Sequence, residues 1–309
     1  MASPRSPKSG TINAYRFFNE YKGHPIEDIA TTHASILSQR GEKPIVFLAG
    51  DSSLDNKYWI PSAGPGGSPL PVPVPDIYHG FLKPPVPKPD VAFWLNHHVG
   101  VSASCLNCAV EESTLGERQK LLPHDEFIRD NIRQQDMLIV SVGGNDIACK
   151  PTLGTAVRML RLTWLNTRSA IEAGTAGPLA YFKDIFGAQV EEYISKMTAK
   201  RKPRAVIVCM IYFPFESGIS SQSSWADLPL KAMGYHRRPG HLQAVIRKIY
   251  EAATCEINIK GTNVVPCPLF EVMDGKEKGD YVQRVEPSVE GGRKMAERFA
   301  DTLRGYLEM

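Results

Sequence analysis

The sequence predicts one three-layer α/β domain, in which a central parallel sheet of about five strands carries helices on both faces. Two short apolar runs, 45–49 and 137–142, are uninterrupted and stop at glycine, as strands buried on both faces do. Stretches with apolar residues at helical spacing separate such runs, and this alternation predicts parallel strands joined by helices. The chain has 309 residues, of which 42% are apolar, and this is enough for such a core.

The first part of the chain contributes one helix and one strand to this scheme. Apolar residues recur at helical spacing between residues 26 and 39, so a helix is expected there, packed near the edge of the sheet. The strand over residues 45–49 follows. The chain therefore divides into an N-terminal extension with this helix, residues 1–44, and a single domain, residues 45–309.

The second half of the chain contributes three further strands and four helices. Apolar and branched residues predict strands over 137–142, 205–211 and 264–269, the last weakened by its two prolines. Apolar residues at i, i+3 and i+4 spacing predict helices over 157–172, 178–198, 242–253 and 292–307. No internal repeat or domain linker is evident.

Residues 61–89 interrupt this pattern with a segment dominated by proline and glycine. Proline fixes φ and lacks an amide hydrogen, so such a segment is neither helix nor central strand. We interpret it as a long surface excursion with polyproline character. A lid or a docking segment for a protein partner is the alternative, because structureless loops of this length are uncommon.

The charge balance and the N-terminus point to an ordinary globular protein. The chain has 36 Lys and Arg against 33 Asp and Glu, and a net charge of +3 is too small to predict a nucleic-acid or membrane partner. No apolar secretory signal and no run of membrane-spanning length is present in the sequence. We expect an intracellular, cytoplasmic protein. An organelle address stays open, because Ser and Arg occur and acids do not up to Glu20.

Six cysteines are spread thinly along the chain, and an intracellular protein is expected to keep them reduced. Cys105 and Cys108 have the C-x-x-C spacing of many zinc ligands, with His97 and His98 just upstream. One such pair without a second is a weak metal signature. The sequence therefore predicts neither a metal nor a cofactor.

The turn after the first strand carries a candidate nucleophile. Residues 50–52 read Gly-Asp-Ser, and ligands of open parallel sheets lie beyond the carboxyl ends of the strands. A serine on a glycine turn before a helix exposes its hydroxyl, and the helix amides can stabilise an oxyanion. This favours Ser52 as a nucleophile. The simpler alternative is that Asp51 and Ser52 only cap the following helix.

The turn after the 137–142 strand carries a second polar motif. Residues 143–146 read Gly-Gly-Asn-Asp. Gly144 permits close approach of the backbone, and Asn145 offers an amide donor to the same cleft, although a plain Gly-Asn turn would look alike. The two motifs, both at strand ends and in this order, indicate a site more strongly than either alone.

Together these motifs resemble the blocks of the SGNH, or GDSL, hydrolases. Residues 50–52 match the first block and residues 143–146 the third. The resemblance is closest to a subgroup whose first block reads G-D-S-x-x-D-N, as at 50–56, and whose last reads E-P-S-x-x-G-G-x-K, as at 286–294. It extends from Ile45 to the C-terminus outside the Pro-rich segment. It implies a flavodoxin-like fold and hydrolysis of ester or related acyl bonds.

The resemblance also implies roles for single residues. Ser52 would be the nucleophile, and its own amide would be one oxyanion donor. Asn145 would supply a side-chain donor. The second block usually contributes a glycine amide after Asn or Asp, and its best match here is Asn107-Cys108. The amide of Cys108 would then take the place of the glycine.

The last block departs from the family pattern at the base. The usual D-x-x-H before Pro-Ser is replaced by the run from Gln283 to Glu286, and no histidine follows His241. A serine hydroxyl needs a neighbour that removes its proton, and a carboxylate does so only when burial raises its pKa towards neutrality. Val285 and Pro287 flank Glu286 with apolar surface, which is compatible with that role.

Three interpretations of the site remain open from the sequence. In the first, Glu286 is the general base of a serine esterase. In the second, His236 or His241 folds over the strand ends and replaces it. In the third, the site binds a ligand without hydrolysing it, as a binding or scaffold protein would. Asp55 is an accessory candidate that would pair with Arg284, contact substrate, or be an exposed acid at a helix start.

The preferred prediction is a hydrolase of an unidentified small-molecule ester. Ser52 attacks to form an acyl-enzyme and Glu286 is the base. Asn145 and the amides of Ser52 and Cys108 hold the oxyanion.

Overall fold

The computed structural model describes residues 10–62, 67–216 and 224–308, and it confirms the predicted fold class. The central sheet consists of β1 (Ile45–Gly50), β2 (Ser104–Asn107), β3 (Met137–Ser141), β4 (Ala205–Met210) and β5 (Asn263–Pro268). All its strands are parallel, in the order β2-β1-β3-β4-β5, which is that of flavodoxin-like sheets. Every residue of β1, β3 and β4 is buried, as covering on both faces requires.

Helices cover both faces of this sheet. Their bounds are α1 (Ala14–Asn19), α2 (Ile26–Arg40), α3 (Val91–Val99), α4 (Pro123–Asn131), α5 (Gly144–Ala148), α6 (Leu153–Leu165), α7 (Arg168–Glu172), α8 (Leu179–Lys183), α9 (Val190–Met197), α10 (Asp227–Ala232), α11 (Pro239–Ala252) and α12 (Val289–Leu307). The helix predicted over 157–172 is broken, since Thr167 leaves helical geometry and caps α7 by accepting from the Ala170 amide at 3.1 Å.

The sequence analysis missed strand β2 and the helices α1, α3, α4, α5 and α10. The strand is short and has polar residues, Ser104 and Asn107, at both ends, so it lacks the apolar run of a buried strand. Its connection to α3 is made by Asn96. The Asn96 side chain accepts from the Cys105 amide at 2.8 Å and donates to the Cys105 carbonyl at 3.1 Å. This edge strand is therefore held by a side chain as well as by its ladder to β1.

Strand β5, whose prediction from the sequence was weakened by its two prolines, lies at the other edge of the sheet. It pairs with β4 alone, and Pro266 lies opposite Val208. An edge strand tolerates proline because one of its sides makes no ladder hydrogen bonds. The predicted strand is confirmed, with the bounds given above.

The N-terminal extension and the Pro-rich segment meet each other. Ile12–Asn13 forms a two-residue parallel ladder with Leu82–Lys83, and residues 10–44 share one hydrophobic core with the sheet. Besides that ladder, the described part of the Pro-rich segment contains only a 3-10 turn over Asp76–Gly80. Residues 1–9, where an organelle address stays open, and residues 63–66 of the Pro-rich segment lie outside the described residues.

None of the helices in the described ranges is long and apolar enough to cross a bilayer.

The sheet places the loops after β1 and β3 side by side. Gly50 pairs with Ser141, and a Cβ on Gly50 would lie 2.0 Å from the Ser141 carbonyl oxygen, so only glycine fits. The Asp51 amide then donates to the same carbonyl at 3.1 Å. Because β1 lies between β2 and β3, this rim is the topological switch point, where ligands of such sheets bind.

Candidate active site

A cavity of about 100 Å³ opens between the loops after β1 and β3. Ser52, Asn145 and Glu286 all line it, together with Asp51 and Gly144. Side chains from α5, α6, α10 and α11 and from the segment directly after β4 form most of the remaining wall, and nearly all of them are apolar. The structure thus brings the three principal candidates of the sequence analysis into one pocket.

Ser52 lies in the turn after β1 and is 7% exposed. The amides of Ser53, Leu54 and Asp55 all donate back to Asp51, at 3.1, 3.1 and 3.0 Å. The Ser52 amide, by contrast, has no acceptor among the described residues. It is therefore available to a developing oxyanion, as expected for the amide of a nucleophile.

Asp51 caps this turn and also adds negative charge to the cavity. The Ser53 hydroxyl lies 2.7 Å from Asp51 Oδ1 and 2.7 Å from the Ser141 hydroxyl. Burial raises the pKa of Asp51 to about 6, against the lowering effect of the hydrogen bonds from Ser53. Asp51 is thus largely ionised at neutral pH.

Glu286 reaches the cavity from the segment before the last helix. Glu286–Pro287 forms a two-residue antiparallel ladder with Tyr281–Val282. Ser288 then caps α12 by accepting from the amides of Glu290 and Gly291, both at 3.1 Å. The E-P-S motif therefore fixes the carboxyl by a ladder on one side and a helix cap on the other.

The surroundings of Glu286 bring its pKa into the range of a general base. Its side chain is almost fully buried, and burial raises the pKa to about 7. Hydrogen bonding from Ser52 and from Trp225 lowers the pKa, whereas the charge of Asp51 raises it. Oε2 of Glu286 has no hydrogen-bond partner within the described ranges. The carboxyl can thus accept a proton at neutral pH.

Asn145 lies at the start of α5, and one of the two N–H groups of its side chain is already hydrogen-bonded. Its Nδ2 donates to the Ser113 carbonyl at 3.0 Å. Because a primary amide carries two N–H groups, the second can serve a ligand in the cavity. Gly144 lines the cavity too, but a Cβ there would make only ordinary contacts, 3.7 Å from Ile211 and 3.8 Å from Asp51. The turn instead requires glycine at Gly143, whose φ is 98°.

Arg118, which the sequence analysis did not single out, connects Gly50, two residues before Ser52, to Ser113, whose carbonyl accepts from Asn145. Its fully buried guanidinium donates to the Gly50 carbonyl at 2.6 Å and to the Ser113 hydroxyl at 2.8 Å. Asp125 pairs with the same guanidinium. A single arginine in a loop gives no signal in the sequence, because its partners are distant along the chain.

The expectation that the Cys108 amide is an oxyanion donor is wrong. That amide donates to the Leu48 carbonyl at 2.9 Å and so prolongs the ladder between β2 and β1. The Cys108 side chain is fully buried and does not line the cavity. The ladder continues to Val110, whose amide donates to the Gly50 carbonyl at 2.9 Å, so the chain leaves the sheet later than the motif indicated.

The interpretation in which a histidine replaces Glu286 is also wrong. His236 is exposed, and His241 is half-buried, with Nε2 3.4 Å from the Leu162 carbonyl oxygen. Neither lines the cavity or contacts Ser52. Of the bases considered from the sequence, Glu286 alone is in place.

Asp55 is neither exposed nor paired with Arg284. It is fully buried, and Nζ of Lys57, also fully buried, lies 2.6 and 2.8 Å from its two carboxyl oxygens. Arg284 instead pairs with Asp227 at 2.9 Å and donates to the Phe215 carbonyl. Asp55 therefore forms a buried ion pair next to the site and does not line the cavity.

We expect Lys57→Met to lower the free energy of unfolding by about 3–5 kcal/mol, because it leaves the buried Asp55 carboxylate without its counter-ion. Urea-induced unfolding measures the change. Lys276→Met is the control, since Lys276 forms an exposed pair with Asp274 at 3.5 Å that is worth at most about 1 kcal/mol. Equal effects of the two variants would contradict a structural role for the buried pair.

Glu111 is a buried acid that the sequence analysis did not consider. Burial first, and then the charges of Glu286, Asp55 and Asp51, raise its pKa to about 9, against the lowering effect of a hydrogen bond from Trp59. Glu111 thus keeps its proton at neutral pH. Glu111 follows the end of β2, which the sequence analysis did not recognise, and it does not line the cavity.

Within the described ranges, no group of three or more His, Cys, Asp or Glu side chains is arranged to hold a metal ion. Cys105 and Cys108 are both buried, on and directly after β2.

No family model matches this sequence, and no curated protein matches it. Solved structures with a similar course include a lipase/acylhydrolase from Enterococcus faecalis, with 13% identity over 85% of this chain and 96% of that one, at a TM-score of 0.43. An extracellular lipase from Streptomyces rimosus is 15% identical over 85% of this chain and 99% of that one, with a TM-score of 0.42. The M. smegmatis aryl esterase is 12% identical over 85% of this chain and 99% of that one, with a TM-score of 0.42.

Proposed function

We propose that this chain is a serine hydrolase of the SGNH type that cleaves ester or related acyl bonds. Ser52 is the nucleophile and Glu286 takes the place of the usual histidine. The observation that carries the proposal is that a serine hydroxyl and a buried carboxyl whose pKa is about 7 line the same apolar cavity. A base with its pKa near the working pH transfers protons most efficiently.

The proposed reaction moves one proton back and forth between Glu286 and the reacting oxygens. The Glu286 carboxylate removes the proton of the Ser52 hydroxyl as its oxygen attacks the carbonyl carbon. The tetrahedral oxyanion is held by the Ser52 amide and the free N–H of Asn145. Protonated Glu286 then gives its proton to the departing alcohol. The same carboxylate removes a proton from water, which attacks the acyl-enzyme, and it returns that proton to the Ser52 oxygen as the acid leaves.

The size and lining of the cavity favour a short apolar acyl group. The cavity of about 100 Å³ has room for only a small group beyond the scissile carbonyl. Pockets for drug-sized ligands span roughly 300–1,000 Å³. Ile147, Met159 and Ile211 are among the apolar residues that surround this space. We therefore propose acetyl to butyryl esters as first substrates.

A fluorophosphonate probe tests the proposal, because it reacts only with an activated serine. We expect stoichiometric labelling, with the adduct on Ser52 and not on Ser53 when peptides are mapped by mass spectrometry. Ser102→Ala, which removes an exposed hydroxyl before β2, is the control and is expected to label like the wild type. Wild-type protein that stays unlabelled would instead support a binding or scaffold protein that hydrolyses nothing.

A further inference from the structure

Helix α6 has an apolar face that the described chain leaves largely exposed. Leu153, Val157, Leu160 and Trp164 follow one another at i, i+4, i+7 and i+11, which places them on one side of the helix. Their exposed fractions range from 41% to 82%. We call these four residues the α6 stripe.

The stripe is separate from the face by which α6 joins the core. The buried residues of α6 include Met159 and Leu162, and Met159 lines the cavity. A surface helix of a globular protein normally has one apolar face, and a second, exposed one marks a site of interaction. Leu165, 75% exposed at the end of the same helix, adds to the uncovered apolar surface.

The neighbouring helix α10 shows the same combination of exposed and cavity-lining residues. Trp164 Nε1 donates to the Ala232 carbonyl at 2.8 Å, which connects α6 to α10. In α10, Leu230 lines the cavity and Leu228 is 77% exposed. The uncovered apolar surface therefore lies on the two helices that also form a wall of the candidate active site.

The charges carried by α6 and its flanking residues are all positive, although Arg168 pairs with Glu172 at 2.7 Å and Lys150 with Glu117 at 3.2 Å. No acid occurs between Ile147 and Ile171, and that range contains four cations, Lys150, Arg158, Arg161 and Arg168. The Arg238 guanidinium lies 5.0 Å from the centre of the Trp164 ring. Arg161 and Arg237 are exposed and form no ion pair within the described ranges. The small net charge of the whole chain conceals this local concentration.

We propose that the α6 stripe docks on an anionic lipid surface. Apolar side chains flanked by arginines on one helix are the combination that partitions into the headgroup region of acidic bilayers. Pairing of the stripe with a second copy of the chain is less favourable, because a twofold interface brings each cationic flank close to its own copy. Together with the proposed hydrolysis, which docking does not require, this would present amphiphilic esters to the cavity.

Co-sedimentation with vesicles tests the docking, using phosphatidylcholine alone and phosphatidylcholine mixed with phosphatidylglycerol. The proteins carry Ser52→Ala in every case, so hydrolysis does not enter and a failure of the proposed function leaves the result unaffected. We expect binding to the mixed vesicles, weakened by salt, and much weaker binding to the neutral ones. Arg161→Glu and Leu153→Ser should each lower the partition coefficient about tenfold or more.

Matched controls lie at the opposite rim of the sheet. Lys260→Glu and Val101→Ser change an exposed cation and a 61% exposed apolar residue before β5 and β2, and both should bind like the parent protein. Absence of binding to the mixed vesicles would overturn the proposal, as would equal losses in controls and stripe variants. A dimer in analytical ultracentrifugation that Leu153→Ser dissociates, without vesicle binding, would assign the stripe to self-association instead.

Discussion

Ser52→Ala is expected to lower kcat for 4-nitrophenyl butyrate by about 10⁴-fold or more, because the reaction then lacks the covalent intermediate. The amide of residue 52 and the Asn145 side chain remain in place, so some acceleration over water survives. Initial rates at saturating ester measure the effect. The hydroxyl is small and lies at a cavity, so the far-ultraviolet circular dichroism and the unfolding midpoint should stay close to those of the wild type.

A matched comparison keeps this result specific to the nucleophile. Ser102→Ala removes an exposed hydroxyl in the turn before β2 and should leave kcat unchanged. If Ser52→Ala retained kcat within tenfold of the wild type, the chemistry would have to be carried by another group, and the proposed acyl-enzyme would be wrong.

The meeting of Ser52, Asn145 and Glu286 in one cavity could be predicted from the sequence because each is close to a strand or helix end. Ser52 and Asn145 follow β1 and β3 within four residues of the strand ends, and neighbouring parallel strands bring their carboxyl ends to the same rim. Glu286 directly precedes a helix with a readable serine cap, Ser288. In these cases local pattern and sheet topology together fix the position of the side chain.

The errors concern contacts that no local pattern encodes. The prediction that the Cys108 amide is an oxyanion donor failed because β2 has polar ends. The sequence therefore contains no sign of where the ladder between β2 and β1 stops. The burial of Asp55 depends on Lys57, a residue two positions on that would ordinarily be exposed. Arg118 bonds to Gly50, 68 positions away in the sequence. Such partners become visible only when the chain is folded.

Glu286→Gln is expected to lower kcat by about 10²- to 10⁴-fold, since glutamine accepts a hydrogen bond from Ser52 but cannot take its proton. The wild-type rate should rise with pH through a midpoint near 7, because the base acts only when ionised and burial holds its pKa at about 7. Asp51, with a pKa of about 6, titrates nearby, so the observed midpoint belongs to the pair. Initial rates between pH 5 and pH 9 give both kcat and the midpoint of the pH–rate profile. In the variant, the rise in rate near pH 7 should be absent.

The stability of Glu286→Gln separates a catalytic role from a structural one. Folding raises the pKa of Glu286 from 4.5 to about 7, so the folded state holds this proton more tightly than the unfolded state does. Its contribution to stability is therefore present below pH 4.5 and falls away as the pH rises to 7, by on the order of 3 kcal/mol. Glutamine has no charge to bury, so the variant should be more stable than the wild type at pH 8 in urea unfolding. A less stable variant with an unchanged pH–rate profile would make Glu286 a structural residue. A carboxylate that destabilises the fold near neutral pH and lines the same cavity as the serine has the properties that the proposed general base requires.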